Sequence, residues 1–201
     1  MRKTILLTSL IFLMPLVAKA APLKIVNVAA PAINCVFSTS CSMSVKDTTE
    51  NVPLAAGGIG KLRSRTFKGA DGSPAAGLFG YEYRLELDQA VEFTALSCID
   101  AITISFGPVV STLNYGGDSK PDQVFVVSTG GVGTIGLASA VQTRNSIRFK
   151  FKSPVCSGPS VGKGGNTFFW GLVSKTPPKS ITALVHQSGG ATRMVKARSP
   201  M

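Results

Sequence analysis

The chain has 201 residues, of which 44% are hydrophobic and 15% are charged, and it carries a formal net charge of +11 at pH 7. This length suits one domain, or at most two small ones, and is enough to bury a sizeable core. The excess of Lys and Arg favours anionic partners but says nothing about the fold.

The first twenty residues have the pattern of a secretory signal peptide. Arg2 and Lys3 form a charged start, residues 5–17 an apolar run, and residues 18–20 an A-x-A cleavage site. The apolar run has about 13 residues, whereas a transmembrane helix needs about 20. We therefore predict cleavage after Ala20 and export to the periplasm or the exterior as one mature domain, residues 21–201. Cleavage removes three cations and leaves a formal charge of +8, and no later segment is long and apolar enough to span a bilayer.

Beyond the signal sequence, apolar residues alternate with polar ones or occur in short runs bounded by Gly, Pro, Asn and Ser, as is typical of β-strands. The predicted strands, in chain order, are residues 23–28, 33–37, 42–45, 62–67, 79–87, 99–106, 124–128, 146–151, 167–173 and 181–186. Residues 137–145 are a weak helix candidate, and the basic end, residues 193–201, is predicted to fray. The pattern predicts an all-β protein with little helix, an antiparallel β-sandwich for which a jelly roll is one candidate arrangement.

Four cysteines, Cys35, Cys41, Cys98 and Cys156, permit three disulfide pairings. An even number of cysteines in an exported chain indicates disulfides. Zinc sites favour closer cysteine pairs, often with histidine, and His186 is the only histidine of the chain. We favour the pairing Cys35–Cys41, which closes a short loop, with Cys98–Cys156, which joins distant strands.

Residues 131–136 spell G-x-G-x-x-G after a predicted strand, the fingerprint of dinucleotide-binding folds. That fold also needs a helix after the glycines and an acidic residue about 20 positions later. Only about nine residues separate Gly136 from the next predicted strand, and no acid lies near Cys156. We therefore predict a glycine-rich turn between strands and no nicotinamide or flavin cofactor.

The strand around residues 81–88 is the clearest example of alternation. Its outward face would carry Glu82, Arg84, Glu86 and Asp88. Neighbouring side chains on one face of a strand lie roughly 7 Å apart, a separation that glycosidases use between two carboxylates. Arg84 between Glu82 and Glu86 would, however, hold down the pKa of each, so we predict a solvated, ion-paired face.

Three other candidate sites are better explained by roles in the fold than by catalysis or ligand binding. His186 is predicted at the surface without a nucleophile motif nearby, and Trp170 in a buried strand. Asp118 and Asp122 share a loop, but their spacing does not match an EF-hand and Lys120 lies between them. We therefore predict no catalytic residue and no metal ligand.

Two predicted strands carry stripes of cations, and these are the candidate binding residues. The first stripe comprises Arg148, Lys150 and Lys152, and the second Lys61, Arg63 and Arg65. If both stripes share a sheet face, they form a patch for an acidic polysaccharide, a lipid headgroup surface or a nucleic acid. The alternative is pairing with the acids of residues 82–88.

The sequence thus favours an exported, non-enzymatic β-sandwich with a basic face that binds anionic polymers in the envelope, at the surface or in the matrix. A hydrolase acting on an extracellular or envelope polysaccharide is the first alternative, and a purely structural, self-assembling subunit the second. The scarcity of histidine and the lack of a nucleophile motif favour binding over hydrolysis.

Overall fold

A computed structural model describes residues 20–91, 95–109 and 113–201. The predicted signal sequence, except for Ala20, lies outside the described residues. Within these ranges no helix is long and apolar enough to cross a membrane.

Twelve strands in the described residues form two six-stranded sheets that pack face to face. In spatial order, the first sheet contains β1 (Ala21–Pro22), β8 (Leu137–Thr143), β9 (Ser146–Cys156), β6 (Cys98–Ser105), β11 (Lys179–Gln187) and β12 (Thr192–Ser199). The second contains β2 (Ile25–Ala29), β7 (Val124–Thr129), β10 (Trp170–Ser174), β5 (Phe79–Glu86), β4 (Ile59–Lys68) and β3 (Lys46–Pro53). One helix, α1 (Ala30–Phe37), follows β2.

The strand order confirms the predicted β-sandwich. Around the two sheets, β4 to β11 follow the cyclic order β4-β5-β10-β7-β8-β9-β6-β11, which is the order of a jelly roll. Neighbouring strands are antiparallel, apart from the parallel pair of β2 and β7. At one side β12 contacts β3 and β4, so the two sheets meet there.

The main core lies between the sheets and is built from those residues of each strand that point inward. Trp170 lies at its centre, and its ring contacts the rings of Tyr83, Phe149 and Phe151. Tyr81 is also fully buried. The prediction that Trp170 is buried is therefore confirmed. Because Tyr81 and Tyr83 point into the core, β5 must direct its even-numbered residues to the opposite face.

A second, smaller cluster covers part of the outer face of the second sheet. Phe37 of α1 packs on Phe67, Tyr115 and Phe125, and Ile33 is buried beside them. The outer faces of the two sheets therefore differ, because part of the second is roofed by α1 whereas cations on the first are exposed.

The prediction of a strand at residues 33–37 is wrong, because these residues lie in α1. Ile33, Val36 and Phe37 are spaced to fall on one helical face, and all three are buried. Pro31 occupies the first turn, where its missing N–H is tolerated. The strand predicted at residues 42–45 is also wrong; the chain forms the largely polar edge strand Lys46–Pro53 instead.

Two further corrections concern the last third of the chain. Residues Leu137–Thr143 form β8 and not a helix, paired with β9 across a tight turn. The C-terminal segment predicted to fray forms β12, which pairs with β11 from Thr192 to Ser199. Val195 and Ala197 of this strand are buried, so a short alternation within a basic segment is enough to hold it in the sheet.

Both favoured disulfides are present, Cys35–Cys41 and Cys98–Cys156. The first links the end of α1 to the loop that follows. The second joins residues directly opposite each other on β6 and β9. The predicted pairing is therefore confirmed.

Candidate functional site

The two predicted basic stripes lie on different sheets. Arg148, Lys150 and Lys152 point outward from β9 in the first sheet, whereas the stripe of Lys61, Arg63 and Arg65 lies on β4 in the second. The two outer faces point away from each other. The condition for one shared cationic patch is therefore not met, and each stripe has its own surroundings.

Most of the β4 stripe belongs to a network of ion pairs, which we call the ion-pair ladder. Its members are Asp47 on β3, Arg63 and Arg65 on β4, and Glu82, Arg84 and Glu86 on β5. Arg65 Nε lies 2.9 Å from Asp47 Oδ1, and Arg63 Nη2 lies 3.4 Å from Glu86 Oε1. The ladder has three cations and three carboxylates, so it offers little net charge to a polymer, as the pairing alternative anticipated.

Glu82 departs most from the sequence-based expectation. Its side chain is only 3% exposed, and its closest ionic contact is Arg65 Nη1, 3.6 Å from Glu82 Oε2. Arg84 instead pairs with Glu86. Burial raises the pKa of Glu82 to about 7, although Arg65 opposes the shift. The predictions of a solvated Glu82 and of a lowered pKa are therefore wrong.

A pocket of about 300 Å³ opens next to Glu82. It is lined by Ala30, Ile33, Asn34, Met43, Arg65, Glu82, Val127, Gly130, Gly131, Val132 and Phe169. The floor comes from strands of the second sheet and the walls from α1 and the segment after β7. Sequence reasoning missed this pocket because α1, which forms one of its walls, was predicted to be a strand.

The β9 face is the second candidate surface, and we define it by Arg148, Lys150 and Lys152. These three cations line one hollow of about 490 Å³, together with Asp100, Phe151 and Pro154. Asp100 accepts a 2.9 Å hydrogen bond from Ser188 Oγ. No ion pair joins the three cations to any residue that the structure describes, so the hollow has an excess of positive charge.

His186 lies on the same face of the first sheet. Its Nε2 is 2.8 Å from Thr103 Oγ1, and its Nδ1 is 3.5 Å from Thr192 Oγ1. Burial lowers the pKa of His186, and the positive charge of Arg148 lowers it further. Among the described residues no carboxylate bonds to the ring, which leaves it without the acid that orients the histidine of a catalytic triad.

The G-x-G-x-x-G segment is a turn between β7 and β8, with a strand and not a helix after it. Gly133 has a φ of 105°, and a Cβ there would lie 2.0 Å from the backbone oxygen of Thr167. Glycine is therefore required at position 133 because the backbone of Thr167 comes close. The predicted glycine-rich turn is confirmed.

The two loop aspartates have partners within the protein. Asp122 lies 2.8 Å from Lys24 Nζ, and Asp118 accepts a hydrogen bond from the backbone of Lys120. In the part of the chain that the structure describes, no three His, Cys, Asp or Glu side chains are grouped to hold a metal ion.

No protein-family model matches this chain, and neither curated proteins nor solved structures provide a match. No function can be transferred from a relative.

Proposed function

We propose that this protein is an exported, non-enzymatic binding protein that holds an anionic polymer of the envelope or the extracellular space on its β9 face. The convergence of Arg148, Lys150 and Lys152 on one hollow carries this proposal. Two disulfides and the absence of a membrane-spanning helix in the described ranges are compatible with export.

The backbone of β9 holds the cations in a fixed row. Ile147, Phe149 and Phe151 alternate with them and are buried in the core, so the strand cannot rotate. Side chains two residues apart on one face of a strand are about 6.6 Å apart. A repeating anion can therefore meet several cations at once without first ordering a loop, which reduces the entropic cost of binding.

The charge of the first sheet supports the same conclusion. Its six strands carry seven cations, namely Arg148, Lys150, Lys152, Lys179, Arg193, Lys196 and Arg198, and a single acid, Asp100. In the second sheet the ladder pairs its cations internally. The field of the molecule is therefore most positive on the side of the first sheet, where it attracts polyanions.

The hydrolase alternative has no comparable support. Glu82 and Glu86 each contact an arginine of the ladder. Glycosidases need one carboxyl that donates a proton and a second that acts as nucleophile or base near the same bond. Glu86, the second carboxylate of this strand, is held by both Arg63 and Arg84, so it is not free to act as nucleophile or base beside Glu82.

Replacing Arg148, Lys150 and Lys152 together by glutamine is expected to weaken binding to sulfated dextran, a model polyanion. Binding of the parent should fall steeply with salt, because contact releases condensed counterions. With three contacts removed, the slope of log K against log salt should decrease in magnitude by about 2. The stability should change by less than about 1 kcal/mol for each exposed charge. Retention on sulfated dextran in a salt series, with parallel thermal unfolding, measures both.

The matched control replaces Lys68, Lys120 and Lys175 by glutamine, because these cations are exposed and lie on or beside the second sheet. It changes the net charge equally and should keep most of the salt dependence. Equal losses in both triple variants would mean that net charge, not the β9 face, governs binding. A triple β9 variant that binds like the parent would refute the proposed site.

A further inference from the structure

The pocket beside Glu82 lies on the second sheet and is separate from the β9 face. Its lining is largely apolar and includes Ile33, Met43, Val127, Val132 and Phe169. Its volume of about 300 Å³ is at the lower end of the range of small-molecule sites. It is thus suited to a small ligand with an apolar body.

Gly171 leaves the space that the buried carboxylate occupies. It lies opposite Glu82 in the pairing of β10 with β5. A Cβ at this position would meet Phe125 at 2.5 Å and Glu82 Cγ at 3.0 Å. Any larger residue would thus displace the side chain of Glu82 or of Phe125.

The charge balance around Glu82 is incomplete. Arg65 is its nearest cation, at 3.6 Å, but the same guanidinium binds Asp47 at 2.9 Å. Arg84 lies on the same strand but is bound to Glu86. The elements α1, β7 and β10 contribute no charged side chain to the lining of the pocket. One guanidinium is thus divided between two carboxylates, one of them deeply buried.

We propose that this pocket binds a small organic ammonium ion, a primary amine with an apolar body, whose charged group contacts Glu82. The apolar body would pack on Met43, Val127 and Phe169, and Asn34 offers a further polar contact at the rim.

Charge complementarity selects an ammonium group over an anion or a neutral group. An ammonium group donates hydrogen bonds to Glu82 and replaces the hydration that burial has removed. An anion would meet Glu82, while Arg65, the one cation of the lining, is already engaged with Glu82 and Asp47. A neutral alcohol would donate one uncharged hydrogen bond, which is about half as strong as a charge-assisted bond.

The pKa of Glu82, raised to about 7 by burial, adds a dependence on pH. The ammonium should bind the ionised form, and the apparent affinity scales with the population of the competent form. That population falls from about nine-tenths at pH 8 to about one-tenth at pH 6 for a pKa of about 7. Affinity for the amine is therefore expected to be about tenfold weaker at pH 6.

Titration calorimetry with 2-phenylethylamine, at pH 8 and pH 6, tests the proposal on the mature protein. The comparison ligands are 2-phenylethanol and phenylacetate, which share the ring but not the positive charge. The amine should bind most tightly at pH 8 and lose about tenfold at pH 6. Equal affinity for the alcohol, or tighter binding of phenylacetate, would overturn the proposal.

Two variants locate the interaction. Glu82→Gln should remove the preference for the amine, whereas Glu86→Gln, which alters the ladder outside the pocket lining, should keep it. The β9 triple variant should also bind the amine normally, so this test is independent of the polymer-binding proposal. Shifts of the Met43 methyl resonance on titration report binding at the pocket directly, and amine binding that leaves this resonance unchanged would place the ligand elsewhere.

Discussion

Replacing Cys98 and Cys156 by serine is expected to lower the free energy of unfolding by about 4 kcal/mol, against about 2 kcal/mol for the Cys35 and Cys41 pair. The Cys98–Cys156 disulfide links residues separated by 58 positions, whereas the Cys35–Cys41 disulfide spans 6. A longer closed loop restricts the unfolded chain more strongly. Denaturant unfolding of the two double variants at neutral pH, compared with the parent, measures the difference.

The double variants also test which bonds exist. Thiol titration of the denatured, unreduced parent should find no free cysteine among the four. Each double variant should likewise have none, because its remaining pair stays bonded. Equal losses of stability for the two variants would contradict the loop-length argument, and free thiols in either variant would contradict the pairing.

Glu82→Gln is expected to gain stability relative to the parent as the pH rises from 4 to 8. The folded-state pKa of Glu82 lies at about 7, above the ordinary value of 4.5, so the folded protein favours the protonated carboxyl. The contribution of Glu82 to stability is therefore fully present below pH 4.5 and is lost as the pH rises through 7. At 1.36 kcal/mol for each unit of pKa, the difference between variant and parent should change by about 3 kcal/mol.

Glu86→Gln is the matched control, since it removes a carboxylate two residues away on the same strand. It replaces the carboxylate that Arg63 and Arg84 share by a neutral amide, which weakens both contacts, so this variant should be less stable than the parent at pH 8. Opposite signs for the two variants at pH 8 are the expected result. A Glu82→Gln variant whose stability difference from the parent does not change with pH would show that this carboxyl ionises as freely when folded as when unfolded.

The sandwich could be predicted because strands such as β9 alternate apolar and polar residues, whereas β7 and β10 are short apolar runs typical of strands buried on both faces. On β9, Ile147, Phe149 and Phe151 occupy every second position, and that period fixes both the strand and its buried face. The predicted signal sequence and the even cysteine count likewise supported the two disulfides. Such features are local, so a single sequence displays them directly.

The pocket could not be predicted, because it depends on contacts between distant segments. Ile33, Val36 and Phe37 form a short apolar run that fits a strand as well as a helix, and only packing on the second sheet decides between them. Once α1 covers that sheet, Glu82 is enclosed, although the alternation of apolar and polar residues in its strand is typical of a strand with one exposed face. The partner of each carboxylate likewise depends on strand register, which places Arg65 and not Arg84 against Glu82.

The outer faces of the two sheets point in opposite directions, so binding through one face determines where the other face points. A molecule held on a polyanion by the β9 face would turn its second sheet, with α1 and the mouth of the pocket, toward the surrounding solution. Attachment would then leave the route of a small ligand to Glu82 unobstructed. A layer of such molecules would display its pockets on the side away from the support, so that anchoring and ligand capture proceed without competing for the same surface.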